Sequence, residues 1–189
     1  MNYQTILFVL LLMLSKPIFA QESSSNFPIS IGYFSYLGFQ PGAKIGTQLN
    51  LKNWETNTDE FSKQKNFYIS PQIGFYTNPS VHVSYLLNTD FAYKSISKKQ
   101  QRYTAWSIGF AYLNQAQIIA EQVNTSDGNK ERIRENWIWF LPTFNYEFGK
   151  AINEQVGWYT KLSYGLKVSS ERENTAVQFI ELGLQLNLF

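Results

Sequence analysis

The sequence predicts an all-β fold, a single antiparallel up-and-down barrel of about eight strands that crosses a membrane with those strands. Three observations predict it. The first is period-two alternation, clearest from Ser80 to Lys94. There Val81, Val83, Tyr85, Leu87, Thr89, Phe91 and Tyr93 interleave with Ser80, His82, Ser84, Leu86, Asn88, Asp90, Ala92 and Lys94. Alternation over that length makes a strand with two unlike faces. It exceeds the roughly five or six residues of an ordinary globular strand, whereas a strand crossing a bilayer needs about nine to eleven. The second observation is that side-chain size separates with the parity. The third is a mean hydropathy of −0.27 alongside 17% aromatic residues. That is too polar for a helical membrane protein and ordinary for a barrel whose strands turn half their residues to a polar lumen.

Composition narrows the function classes. A length of 189 residues suits one domain, and a net charge of +2 offers no strong field for nucleic acid. With no cysteine in the chain, disulfides, thiolate metal sites and a lipidated cysteine are excluded. Metal-ligand spacings and phosphate-binding glycine loops are absent from the sequence, so no metal and no cofactor are expected.

Ile6 to Leu14 is an apolar run broken by Ser15, Lys16 and Pro17. It is too short to span a bilayer and suits the apolar centre of a signal peptide, with cleavage near Ala20/Gln21. The expected division is residues 1–20 signal peptide, 21–27 a short leader and 28–189 the barrel.

The strands follow in order. Pro28 to Phe39 places Ile29, Ile31, Tyr33, Leu37 and Phe39 opposite Ser30, Gly32 and Gly38, and Gln40-Pro41-Gly42 reads as a turn. Ala43 to Leu51 alternates likewise, and Glu55 to Lys65 is polar enough to read as a loop. Asn66 to Tyr76 sets Phe67, Ile69, Ile73 and Phe75 against Tyr68, Ser70, Gln72 and Gly74, with Pro71 marking an irregular ladder. After the Thr77-Asn78-Pro79 turn come Ser80 to Lys94 and a basic turn, Ser95 to Gln101. Arg102 to Ala116 sets Trp106, Ile108, Phe110 and Tyr112 against Ala105, Ser107, Gly109 and Ala111. Ile118 to Glu135 reads as the longest loop. Asn136 to Phe148, Val156 to Ser169 and Ala176 to Phe189 complete the set, joined by Gly149 to Gln155 and Ser170 to Thr175.

Alternation alone does not say which face points outward. Side-chain volume does, because an eight-stranded barrel has an interior just wide enough for side chains to fill. The apolar faces carry Phe, Tyr, Trp and Leu, whereas the other faces carry Gly32, Gly46, Gly74, Ser84, Ala105, Ser107, Gly109, Ser163 and Gly183. The bulky faces are therefore expected against lipid, which alone accepts so much apolar surface. Lipid also forces closure, since an open edge would leave backbone groups unpaired. Trp54, Tyr76, Tyr93, Tyr103, Trp137 and Trp158, near strand ends, are expected as interfacial girdles.

The signal-like start, the dyad strands and the terminal Leu186-Asn187-Leu188-Phe189 together resemble the small bacterial outer-membrane β-barrel proteins. The resemblance implies the outer membrane as location, a porin-like scaffold, and outer-membrane lipid and lipopolysaccharide as surroundings. It also implies insertion by the barrel-assembly machinery, with Phe189 as assembly signal. Asn187, Gln185 and Gly183 share the parity of Phe189, so the leucines are shifted by one from the usual signal. With the C-terminus periplasmic, Ile118 to Glu135 and Ser170 to Thr175 fall outside, and Ser95 to Gln101 and Gly149 to Gln155 inside. The same count puts Glu55 to Lys65 inside and Thr77 to Pro79 outside, against the rule that periplasmic turns are the short ones.

Lys44, Asp90, Glu147, Lys161, Lys167 and Glu181 fall on the polar faces, and buried charges need partners. They are expected to form an ion-pair network filling the lumen. Lys98-Lys99 with Arg102, and Lys130, Arg132 and Arg134, are surface cations suited to lipid or lipopolysaccharide phosphates. His82 is the only histidine, and Ser84 shares its face. The pair resembles the His-x-Ser motif of outer-membrane lipid A 3-O-deacylases, which implies His82 as base and Ser84 as nucleophile. Tyr85 stands where that motif has Asn, and Asp90 lies about 20 Å along the strand from Ser84. The leading expectation is a non-enzymatic barrel serving envelope integrity or loop-mediated binding. The alternatives are a lipid A-modifying acyl hydrolase, a carrier of a small apolar ligand, or a narrow pore.

Overall fold

The computed structural model describes residues 27–36, 39–58, 61–97, 101–123, 130–170 and 172–188. The expected signal peptide, the leader up to residue 26 and Phe189 lie outside these. The described strands are β1 (Phe27–Tyr36), β2 (Gln40–Thr47), β3 (Leu49–Thr58), β4 (Phe61–Asn78), β5 (His82–Ser97), β6 (Arg102–Val123), β7 (Lys130–Ala151), β8 (Val156–Lys167) and β9 (Thr175–Leu188).

These nine segments make eight barrel strands. β2 and β3 are one strand interrupted at Gln48. The interruption lies beside Pro71 of β4. The β2–β4 register runs to Gly46↔Gln72 and that of β3–β4 resumes at Leu49↔Ile69. Proline has no N–H to give a ladder, and the Ser70 hydroxyl instead donates to the Thr47 carbonyl at 2.9 Å. Every neighbour pair is antiparallel, and β1 bonds to both β2 and β9, so the sheet closes on itself. Closure removes both edges, as a lipid environment demands.

Phe27 meets Leu188 at one end, here the lower rim. At that rim β3 leads to β4, β5 to β6 and β7 to β8, and at the upper rim β1 leads to β2, β4 to β5, β6 to β7 and β8 to β9. Three sequence expectations are corrected here. Glu55 to Lys65 is mostly a hairpin of β3 and β4, not a loop, which removes the conflict over its side. Ile118 to Glu135 is mostly strand, since β6 and β7 are each 22 residues long. Gln40-Pro41-Gly42 opens β2 rather than turning. The cause is common to all three. A ladder needs only extended backbone, and strand residues beyond the apolar belt carry no apolar alternation. β6 and β7 have about twice the length a crossing requires, and above Gln117 and Glu135 they project past the start of β5 as a hairpin, touching the β4–β5 turn where Arg132 donates to the Pro79 carbonyl at 3.2 Å.

At the level of the apolar belt the alternation places the side chains as volume predicted. Ile108 and Leu182 are 56% and 55% exposed on the outer wall, whereas Ser84 and Asp90 are 0% and 2% exposed within the bore. The outer wall is a continuous belt of Ile31, Ile45, Phe67, Ile73, Leu87, Phe91, Ile108, Phe110, Phe140, Phe144 and Leu182. Monomers in water rarely expose contiguous apolar patches beyond a few hundred Å².

Candidate functional site

The bore is the chemically distinctive part of the molecule, and it has two storeys. At its waist, Asp90 of β5 meets Lys161 of β8 in a buried ion pair. The other contacts of Asp90 are amide donors. Asn88 Nδ2 and Asn145 Nδ2 donate to Oδ1 at 3.0 and 3.2 Å, and Gln72 Nε2 donates to Oδ2 at 3.4 Å. Lys161 is the register partner of Glu147 on one side and Glu181 on the other. Glu181 pairs with Lys44, and the Tyr159 hydroxyl donates to its Oε1 at 2.5 Å. The Tyr103 hydroxyl donates to Glu147 Oε1 at 2.8 Å. Unpaired charges in such a space would cost several kcal/mol each; here Asp90 and Glu181 are ion-paired and Glu147 accepts from a tyrosine hydroxyl.

Glycines make room for this layer. A Cβ on Gly109 would strike Asp90 Oδ1 and Thr143 Oγ1. One on Gly32 would sit 2.8 Å from both Glu181 Oε1 and the Tyr159 hydroxyl. Small residues on the lumen face are thus the complement of the long polar ones facing them.

Five of the six expected lumen charges, Lys44, Asp90, Glu147, Lys161 and Glu181, meet at this waist. Lys167 does not join them. It stands in the upper storey, bonded to Gln115 Oε1 at 3.2 Å, with its ammonium 5.2 Å from the Tyr36 ring and 5.9 Å from the Trp139 ring. Missing from the sequence reading were Tyr103 and Tyr159 as donors and Lys94 as a further buried cation. Lys94 donates to Gln185 at 3.3 Å and lies 3.9 Å over the Tyr103 ring.

The upper storey corrects the expectation of a wholly polar lumen. Phe34, Tyr76, Leu86, Leu113, Trp139, Leu141, Val177 and Phe179 pack into one buried cluster there. Two of the expected girdle residues belong inside as well. Tyr76 is fully buried in that cluster, 5.7 Å from Phe34, and Tyr103 is buried at the waist. Trp137 caps the cluster at the upper mouth, with Arg172 stacked 3.5 Å from its ring. Trp54, Tyr93 and Trp158 do lie on the outer wall towards the lower rim, Trp54 and Tyr93 with Phe67 and Trp158 with Phe148.

His82 and Ser84 stand at the upper end of the bore, with Ser84 Oγ 3.1 Å from His82 Nδ1. Among the described residues the His82 ring bonds to no carboxylate, and Ser84 is fully buried. Asp90 is committed to Lys161 and three amides. Below the waist a cavity of about 510 Å³ opens at the lower rim, lined by Gln48, Asn50, Gln64, Asn66, Gln185 and Asn187 beneath Lys94. Among the described residues no cluster of three His, Asp or Glu could hold a metal ion.

The solved structures that this one is similar to share its architecture. The N-terminal β-barrel domain of Pseudomonas aeruginosa OprF superposes with a TM-score of 0.56 at 13% identity, over 86% of this chain and 97% of that one. The fold is that of a small outer-membrane β-barrel. The outer membrane enzyme PagL superposes on this barrel with the same TM-score of 0.56 at 8% identity, over 85% of this chain and 99% of that one. No protein-family model and no curated protein sequence matches the chain.

Proposed function

We propose that this chain is a non-enzymatic, non-conducting barrel of the bacterial outer membrane, with its lower rim in the periplasm. Its role is structural. It anchors in the envelope through the apolar wall and presents the long β6–β7 hairpin outside. The observation that carries this reading is the two-storey filling of the bore. Among the described residues an apolar cluster and an ion-pair layer stand in series along the bore, which supports a filled lumen over a channel or a carrier. The two longest stretches between strands, those joining β6 to β7 and β8 to β9, lie at the upper rim and support the orientation, and the signal-like N-terminus supports export. Reconstitution into planar bilayers tests it. The expected result is no unitary conductance. Stable ion-conducting steps would refute it.

The His82–Ser84 contact favours a second reading, lipid A acyl hydrolysis with His82 as base. It meets a physical obstacle. An acyl ester in the surrounding leaflet approaches the outer wall, and Ser84 faces the sealed bore. Lipid A mass spectrometry of cells carrying the native chain or Ser84→Ala separates the readings. Equal masses support the structural role, and a serine-dependent loss of an acyl chain supports the enzyme.

A further inference from the structure

The lower part of the outer wall carries a feature that the bore does not explain. Register aligns Lys63 of β4 with Ser97 of β5, Ser97 with Arg102 of β6, Arg102 with Lys150 of β7, and Lys150 with Trp158 of β8. Five neighbouring strands thus contribute one row, at spacings of about 5 Å. All three cations are exposed, and they line a groove of about 500 Å³ with Ser95, Thr104, Phe148 and Trp158. Among the described residues none of the three forms an ion pair. At the upper end, by contrast, Arg132 and Arg172 each face a glutamate.

We infer that this groove binds the headgroup of an anionic phospholipid in the leaflet facing the periplasm. The inference deepens the membrane reading above and rests on it. The row lies where the apolar belt ends, so a lipid with its chains along Phe148 and the outer wall brings its phosphate level with the cations. Three ammonium and guanidinium groups supply the charge, Arg102 the planar fork suited to phosphate oxygens, and Ser95, Ser97 and Thr104 further hydroxyl donors. Phe148 and Trp158, with centroids 5.8 Å apart, form the amphipathic floor. A net-negative headgroup such as phosphatidylglycerol satisfies the row. A zwitterionic one brings its own cation into it.

The test uses the full chain folded in neutral detergent. It is titrated with phosphatidylglycerol or with phosphatidylcholine of the same acyl chains, and bound lipid is counted by native mass spectrometry. The expected result is preferential retention of phosphatidylglycerol. Each of Lys63→Gln, Arg102→Gln and Lys150→Gln should lower that affinity about fivefold, with little change for phosphatidylcholine. Arg172→Gln, equal in charge change but at the upper end beside Glu135, should leave the preference intact. Equal binding of the two lipids, or a preference that survives the triple substitution, overturns the inference. So does full displacement by glycerol phosphate, which would mark a plain anion site. Heat-modifiable gel migration of each variant shows that the barrel is folded, so these outcomes leave the membrane reading standing. A chain that does not insert into vesicles at all overturns both.

Discussion

Asp90 and Lys161 are 71 residues apart in sequence, yet they close the bore by meeting across it. β6 and β7 lie between their strands around the wall, so this pair ties one side of the cylinder to the other. Lys161→Met would leave Asp90, Glu147 and Glu181 with only Lys44, beside Glu181, and Lys94, over the Tyr103 ring, as nearby cations. Breaking a buried pair on one side costs about 3–5 kcal/mol. The double variant Asp90→Asn/Lys161→Met should recover a large part of that loss. Denaturant unfolding of the folded barrel in detergent, followed by the gel shift, reads both. Additive losses would mean that the two side chains do not interact.

Gly109 should resist any side chain. Gly109→Ala places a methyl against Asp90 and Thr143, and overpacking of this kind costs about 1–3 kcal/mol. Gly157 is the matched comparison, since its nearest neighbour to an added Cβ is a backbone oxygen at 3.2 Å and the next is at 3.6 Å. Gly157→Ala should shift the unfolding midpoint less than Gly109→Ala.

The apolar storey makes its own contribution. Trp139→Ala empties the centre of the cluster, and truncation of a buried aromatic of this size costs about 3–5 kcal/mol. Conductance should nonetheless remain absent, because the ion-pair layer still closes the bore below. Channel activity in this variant would show that the waist does not seal.

The outer wall should tolerate charge least at mid-belt. Ile108→Arg puts a guanidinium into the hydrocarbon layer at a cost of about 2–4 kcal/mol. At Arg134, above the belt, Arg134→Ile should change stability by less than about 0.5 kcal/mol. Unfolding midpoints of the two variants in the same lipid vesicles make the comparison.

Much of this barrel is legible in the sequence because lipid and lumen impose opposite demands on alternate residues. Where both act, as from His82 to Lys94, the strand and its facing follow from the alternation. Where lipid ends, the pattern ends but the ladder does not. Glu55 to Lys65 and Ile118 to Glu135 therefore read as loops while folding largely as strand. The placement of Tyr76 and Tyr103 in girdles gave side-chain type precedence over parity. Tyr76 shares its parity with Gln72 and Gly74, and Tyr103 with Ala105 and Ser107, and in both cases parity decided. Trp139 follows the same rule, sharing the inward parity of Asn145. Which lumen charges would meet was not readable, because partners such as Asp90 and Lys161 are set by the register of every strand between them.

The most direct test of the account is the surface each tryptophan faces. Two variants are needed, one keeping only Trp106 and the other only Trp139, reconstituted in vesicles whose lipids are brominated at mid-chain. Trp106, 49% exposed on the outer wall, should be strongly quenched, and Trp139, 5% exposed in the bore, should keep nearly all its fluorescence. Quenching of Trp139 with Trp106 spared would turn the barrel inside out and contradict the account.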